Sequence, residues 1–302
     1  MAKLAAFLIT GSASMLAETL HSLADTCNEG LLLVGRHRSS RGRTQQHPFG
    51  FGRERYLYAF VVAVMLFSVG GVLSVLEGVL KIVHPEKVTS PVVDFAVLGV
   101  AMILEGFSLR TAVVNANAVR DGQGWRSFIR RSKSPELPIV LLEDTAALAG
   151  LVLALTGVVL ETITGDGAWD GAGSVAIGLL LTCVAVVLAI EMKSLLIGES
   201  ASADTEHAIV AALEDGPEVQ CVIHLRTVHI APDSLLVAAK IAVGRDETAS
   251  QIAAGINAAE QRVRAAVPIA EVIYLEPDLY RPALDDATDP AVQAARPPDE
   301  GP

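Results

Sequence analysis

Residues Ser14–Gly35 read SMLAETLHSLADTCNEGLLLVG. The run is long enough for a membrane helix, since a bilayer core takes about 20 residues of helix. Yet it carries Ser14, Glu18, His21, Ser22, Asp25, Asn28 and Glu29, spaced by three or four places so that they form one stripe along a helix. A carboxylate at mid-bilayer costs about 2.5–3.5 kcal/mol on insertion scales. A stripe of ionisable groups is therefore kept where it lines a cavity or meets partners on another helix. His21 and Asp25, at i and i+4, can point at one ion together. An imidazole nitrogen and a carboxylate oxygen suit zinc and other first-row divalent metals. The plainer alternative is a polar seam that fastens helices together.

The rest of the chain shows which surroundings this helix has. Of 302 residues, 51% are hydrophobic, and they fall in blocks at Ser14–Gly35, Tyr56–Val83, Val92–Val119, Leu137–Ile163 and Ala168–Glu191. These are expected to be five membrane spans. Leu4–Thr10 is too short to cross. "MAKLAAFLIT" has no charged leader and no cleavage site, so it reads as the last half of a membrane helix rather than a signal peptide, and a shortened start is expected. From about Ile197 the composition becomes that of a soluble domain. The tail "RPALDDATDPAVQAARPPDEGP" is rich in Pro, Asp and Ala and is expected to be disordered.

The net charge of −11 lies mostly in the C-terminal third and argues against a nucleic-acid partner. Cys27, Cys183 and Cys221 are far apart, with no CxxC spacing, which argues against a disulfide framework and a zinc knuckle. Basic residues crowd two connections: Arg36, Arg38, Arg41, Arg43, Arg53 and Arg55 in one, Arg120, Arg126, Arg130, Arg131 and Lys133 in the other. The intervening "ETITGDGAWD" is acidic. The positive-inside rule places both basic loops in the cytoplasm, and parity places the domain after the last span there too. The basic loops would repel a cation, so they are assigned to topology and lipid headgroups.

A His–Asp pair is half a coordination shell, and the other half is sought on another span. "VLLEDTAALAG" offers Glu143 and Asp144. Adjacent on a helix, they are about 100° apart and need not face the same partner. Glu77 and Glu105 also lie within spans and are read as structural. The stretch Asp170–Gly178, "DGAGSVAIG", has the small residues that let helix backbones approach closely. Beyond the spans, "DTEHAIVAALEDG" has helical spacing, "VQCVIHLRTVHIA" and "DSLLVAAKIAV" read as strands, "ETASQIAAGINAAEQRVRAAV" as an amphipathic helix and "AEVIYLEP" as a last strand, in the order αββαβ.

The stretches "GSASMLAETLHSLADTCNEGLLLVG", "HPFGFGRERYLYAF" and "LLIGESAS" together resemble the cation diffusion facilitator (cation efflux) family, over residues 3–277. "LEGFSLR" and "LLEDTAALAGL" resemble more narrowly the branch that includes a mitochondrial zinc transporter and has a Glu–Asp pair in its fifth helix. The resemblance implies an α-helical membrane protein with a six-helix transmembrane domain (residues 1–197, its first helix shortened here). A cytoplasmic α+β ferredoxin-like domain of order αββαβ would follow (residues 198–280), then the tail (281–302). It implies a homodimer in membrane lipid that exports Zn²⁺ or related divalent cations in exchange for protons, Zn²⁺ foremost, with no cofactor beyond the transported cation. The expected setting is the plasma membrane of a prokaryote.

The family's transport site joins HxxxD or DxxxD on the second membrane helix to HxxxD on the fifth. The first pair matches His21 and Asp25. On the fifth helix Glu143 stands where the family has histidine and Ala147 where it has aspartate, with Asp144 or a water left to complete the shell. An oxygen-rich shell with one imidazole admits Mn²⁺, Fe²⁺ or Co²⁺ more readily than a two-histidine shell. The alternatives are thus an exporter of one of those ions, or a non-transporting homologue that senses metal or regulates a partner. An enzyme is disfavoured, since HExxH, GxSxG and P-loop motifs are all missing. Relatives often bind further metal on the strands of the soluble domain. Here His229 and Glu276 are the candidates, but Lys240 and Tyr274 occupy positions where histidines would be wanted, which argues against such a site.

Overall fold

The computed structural model describes residues 13–84, 91–120, 122 and 124–281, with the side chains of 13–25, 91, 93 and 131 outside that description. The expected half-helix at the start, the side chains of His21 and Asp25, and the expected disordered tail therefore lie outside the described residues. The chain divides into two compact units. One comprises residues 1–41 and 54–193, the other residues 42–53 and 194–302.

Among the described residues of the first unit are five long helices: α1 (Ala13–Ser39), α2 (Glu54–Val83), α3 (Pro91–Val119), α5 (Glu136–Thr164) and the greater part of α6 (Ala168–Ile197). Each apolar block of the sequence lies inside one of them. Between α3 and α5, the basic connection expected as a loop contains a short helix, α4 (Trp125–Arg131). Its formation follows from two contacts: Phe128 is buried, and the Arg120 guanidinium lies over the Trp125 ring, 4.2 Å from its centroid. Among the described residues, four helices, namely Glu54–Val83, Asp94–Val119, Glu136–Thr164 and Ala168–Ile197, are long and apolar enough to cross a membrane. Their outward faces expose large apolar side chains such as Leu80, Val83, Ile103, Leu104, Phe107, Val187 and Ile190, which suit lipid as the surrounding solvent.

Helix α1 packs along α2, and α3 along α5. Helices α2 and α6 meet backbone to backbone. A Cβ on Gly78 would lie 2.6 Å from the Gly171 carbonyl oxygen, and one on Gly171 would lie 2.8 Å from that of Gly78. One heptad away, a Cβ on Gly178 would lie 2.8 Å from the Gly71 carbonyl oxygen and 2.7 Å from the Val75 nitrogen. Two reciprocal glycine pairs, seven residues apart on each antiparallel helix, thus set the approach, the small-residue packing expected of "DGAGSVAIG". Residues Leu66–Val72 of α2 wind as a π-helix that includes Gly71, a local change in winding within this packed stretch. The end of the interface is pinned by charge. Lys81 Nζ lies 2.9 Å from Asp170 and 3.1 Å from Glu77, which gives Glu77 the structural role expected of it. Helix α5 stops at Gly165, whose φ of 73° is the left-handed cap that releases the chain, its N–H donating to the Glu161 carbonyl at 2.7 Å.

In the second unit, α7 (Ala203–Glu214), β1 (Cys221–Ala231), β2 (Ser234–Ala242), α8 (Ala249–Ala266) and β3 (Ala270–Asp278) follow one another, the αββαβ order read from the sequence. The three strands lie in the order β1-β2-β3, with β1 antiparallel and β3 parallel to β2. The parallel return needs a crossover, and α8 supplies it. Ile209 and Leu213 of α7 and Val263 of α8 pack against Val222, Leu225, Leu235, Val237 and Ile241 of the strands. A capping box of Thr248 and Gln251 starts α8. Residues 42–53 belong to this unit as well. Gly52 lies so close to β1 that a Cβ there would come 2.7 Å from the Ile230 carbonyl oxygen. Arg43 pairs with Glu271 at 3.3 Å, which also accepts from Ser234 at 2.9 Å.

Arg262 closes the C-terminal end of α7. Its Nε donates to the Ala212 carbonyl at 2.8 Å, Nη2 to that of Leu213 at 3.2 Å, and Nη1 to Glu218. The Arg262 hydrogen bond, followed by a backbone one, holds the Glu218 carboxyl below its ordinary value of 4.5. A carboxyl depressed in the folded state stabilises above its unfolded value, and this contribution is lost as pH falls through the folded one. Glu218→Gln is therefore expected to lower the thermal midpoint at about pH 7, with the gap to wild type narrowing as the pH falls below the ordinary value of 4.5; a pH series of melting curves checks this. At the α2–α6 interface, Gly78→Ala and Gly171→Ala should each cost about 1–3 kcal/mol through overpacking against backbone. Gly99→Ala, whose Cβ would enter open space, should cost nothing. Equal melting temperatures for all three variants in detergent would contradict the close approach.

Candidate metal centre

One member of the α1 stripe, Asn28, finds its partner on α5. Asn28 is only 2% exposed, and its Nδ2 donates to Glu143 Oε1 at 2.9 Å. Positions 21, 25 and 28 fall on one face of the α1 helix by its 3.6-residue period. The Asn28–Glu143 hydrogen bond thus fastens the turn that follows Asp25 to the turn of α5 that contains Glu143. Asn28 belongs to the polar stripe visible in the sequence, but nothing in the motif spacing singled it out. A second signal could have done so: it lies at i+7 from His21 and i+3 from Asp25, on their side of the helix.

Glu143 and Asp144 go different ways. Asp144 Oδ2 accepts from Ser108 Oγ on α3 at 2.9 Å, while Glu143 faces α1. The 100° between successive residues thus sends one carboxylate to each neighbouring helix. Ser108 was missed in the sequence, where a lone serine in a span is more often bonded to its own helix backbone. Toward the start of α5, Arg55 Nε of α2 meets Glu136 Oε1 at 2.7 Å, with side chains only 17% and 25% exposed. One arginine of the basic connections is thus held by a helix of the bundle. Another, Arg130, lies 3.6 Å from Glu191.

Among the described residues, no group of three or more His, Cys, Asp or Glu is placed to hold a metal ion. Of the four sequence candidates, Glu143 and Asp144 are described and His21 and Asp25 are represented by backbone alone. Carboxylates and an imidazole, the residue types of these candidates, are the donors that suit a divalent cation.

The strand candidates of the second unit do not come together. His229 is buried, its Nδ1 3.4 Å from the Ala231 carbonyl oxygen, and it pairs across β1–β2 with Leu235. Glu276 pairs across β2–β3 with Lys240. Five residues of β2 separate the two, about 16 Å of strand. Lys240 Nζ lies 3.1 Å from Glu276 and 3.3 Å from Asp278. Hydrogen bonds to these two carboxylates raise the lysine above its ordinary value, so a fixed cation already occupies the acidic end of the sheet.

Residues 1–197 match the model of the cation efflux transmembrane domain. The mitochondrial proton-coupled zinc antiporter SLC30A9 of Homo sapiens is 35% identical over 222 residues, 73% of this chain and 39% of that protein. Metal tolerance protein C4 of Arabidopsis thaliana is 30% identical over 229 residues, 75% of this chain and 50% of that protein. The chain therefore spans between two fifths and half of the length of these relatives. A solved C-terminal domain of the magnetosome protein MamM, in a nickel form, covers 26% of this chain and 100% of its own, with 22% identity and a TM-score of 0.25. The mitochondrial setting in the human relative's name lends no support to the expected prokaryotic plasma membrane. With four membrane-length helices among its described residues and the family model matching residues 1–197 of 302, the chain is a multi-pass membrane protein of the cation efflux family, a family of transporters rather than enzymes.

Proposed function

We propose that this protein carries a divalent metal cation, Zn²⁺ foremost, across a membrane in exchange for protons, through a site between α1 and α5. His21 and Asp25 supply one side of that site and Glu143 the other, with Asp144 or a water completing the shell. The observation that supports this most directly is the Asn28–Glu143 hydrogen bond, because it ties the turn of α1 that follows Asp25 to the carboxylate of α5. The names of the zinc-antiporting relatives support the choice of ion.

The mechanism follows from the ligands. Metal binds deprotonated donors only, so metal and protons compete for one set of groups. An imidazole, which ordinarily titrates near about 6.5, is the natural exchanger around neutrality. In alternating access the cation enters a site open to one side, and protons from the other side displace it. The architecture we propose is the family's: six membrane helices, of which α1 is the second and α5 the fifth, a ferredoxin-like second unit on the side of the basic loops, and a homodimer embedded in lipid. Ala147, where a carboxylate would complete the set, supports a second reading in which Mn²⁺, Fe²⁺ or Co²⁺ is the principal ion, or in which metal is sensed without being moved.

Proteoliposomes loaded with Zn²⁺ under an imposed pH gradient test this. Zn²⁺ flux is expected to stop in His21→Ala plus Asp25→Ala, and flux that survives both changes would remove the site from this position. Binding without flux in the wild type would favour the sensing reading, and faster Mn²⁺ than Zn²⁺ flux the other ion. Glu143→Gln is expected to weaken Zn²⁺ binding about 10-fold or more. Asp144→Asn distinguishes the fourth donor: equal weakening makes Asp144 a ligand, no weakening leaves it to Ser108.

A further inference from the structure

Asn28 holds a second polar atom whose position the helix packing does not use. Its Nδ2 is committed to Glu143, and since only the NH₂ of a carboxamide can donate to a carboxylate, the orientation of the group is fixed by its partner. Its Oδ1 is buried and has no hydrogen-bond partner among the described residues. A carbonyl oxygen shut away from water and left unpaired is costly, about 1–3 kcal/mol, and such groups call for a reason in the molecule's chemistry. Carboxamide oxygens bind divalent cations. This one sits on the same helical face as positions 21 and 25, about 4.5 Å of helix rise beyond Asp25.

We infer that Asn28 is a further member of the transport site, orienting Glu143 with its NH₂ and offering Oδ1 as an oxygen donor to the same cation. This inference rests on the transport-site reading above. It supplies an oxygen that the sequence lacks at Ala147, and it does so from α1 rather than α5. A simple fastening role would need only the donor half of the amide. A ligand role needs the oxygen.

The two halves can be separated on the full-length protein in detergent, by calorimetric titration with Zn²⁺ and by the visible absorption of bound Co²⁺. Asn28→Ala removes both halves and is expected to weaken Zn²⁺ binding about 10–100-fold and to change the Co²⁺ bands. Asn28→Asp is isosteric, keeps an oxygen and removes the donor. It is expected to retain most of the affinity. If Asn28→Ala does not fold, Asn28→Asp decides alone: affinity near wild type supports the ligand role, and a loss as large as that of Glu143→Gln overturns it. Wild-type affinity and an unchanged Co²⁺ spectrum in Asn28→Ala would also overturn it. His21→Ala plus Asp25→Ala is the control for the underlying reading. If that variant binds Zn²⁺ as the wild type does, the transport-site reading fails, and the inference about Asn28 with it.

Discussion

The hydrogen bond from Asn28 to Glu143 answers the main physical constraint on the helical unit, which is that polar groups within a membrane helix must be met from inside the protein. Lipid offers no donor or acceptor, so each such group left facing it costs several kcal/mol. Asn28, the buried member of the α1 stripe, finds its acceptor in Glu143 of α5, while α1 packs mainly along α2. The same constraint operates one residue further along, where Asp144 is met by Ser108 of α3. Helix α5 thus stands between two polar contacts, one to each side, and the carboxylate pair is the hinge of that arrangement.

The α2–α6 contact solves a different problem. In lipid no hydrophobic effect pulls helices together, and association depends on close packing. The reciprocal glycines, Gly78 with Gly171 and Gly71 with Gly178, bring backbone against backbone and leave no room for a side chain. Lys81, held by Asp170 and Glu77, pins one end of this pair. The close-packed backbone contact of α2 with α6 and the polar contact of α1 with α5 thus involve different helices of the same unit, a division that suits the transport site proposed above.

Much of this was legible in the chain. The apolar blocks marked the long helices to within a few residues, because about 20 residues of helix and a lipid surround leave few alternatives to an uninterrupted apolar run. The αββαβ order was legible because alternation marks strands and a 3.6-residue period marks helices. The helix Trp125–Arg131 was not, since it depends on the burial of Phe128 and the stacking of Arg120 on Trp125, and neither contact has a local periodicity. The short span of residues 42–53 was legible as a basic loop, but its membership of the sheet unit depends on Gly52 fitting against β1 and Arg43 reaching Glu271.

What the sequence by itself determined was the family, the membrane character and the candidates His21, Asp25, Glu143 and Asp144, because these follow from composition, spacing and motif. It also determined that Glu143 and Asp144 diverge by about 100°, which is helix geometry. What only the tertiary structure decided was where each of them goes: Glu143 to Asn28 and Asp144 to Ser108. It also separated His229 from Glu276 by the strand register and placed Lys240 between Glu276 and Asp278. The reason is common to all of these. A helix or strand period says which face a residue occupies, while the partner across that face is set by the packing of segments 115 and 36 residues apart for the two helix contacts and by β-register in the sheet, and neither is written in local sequence.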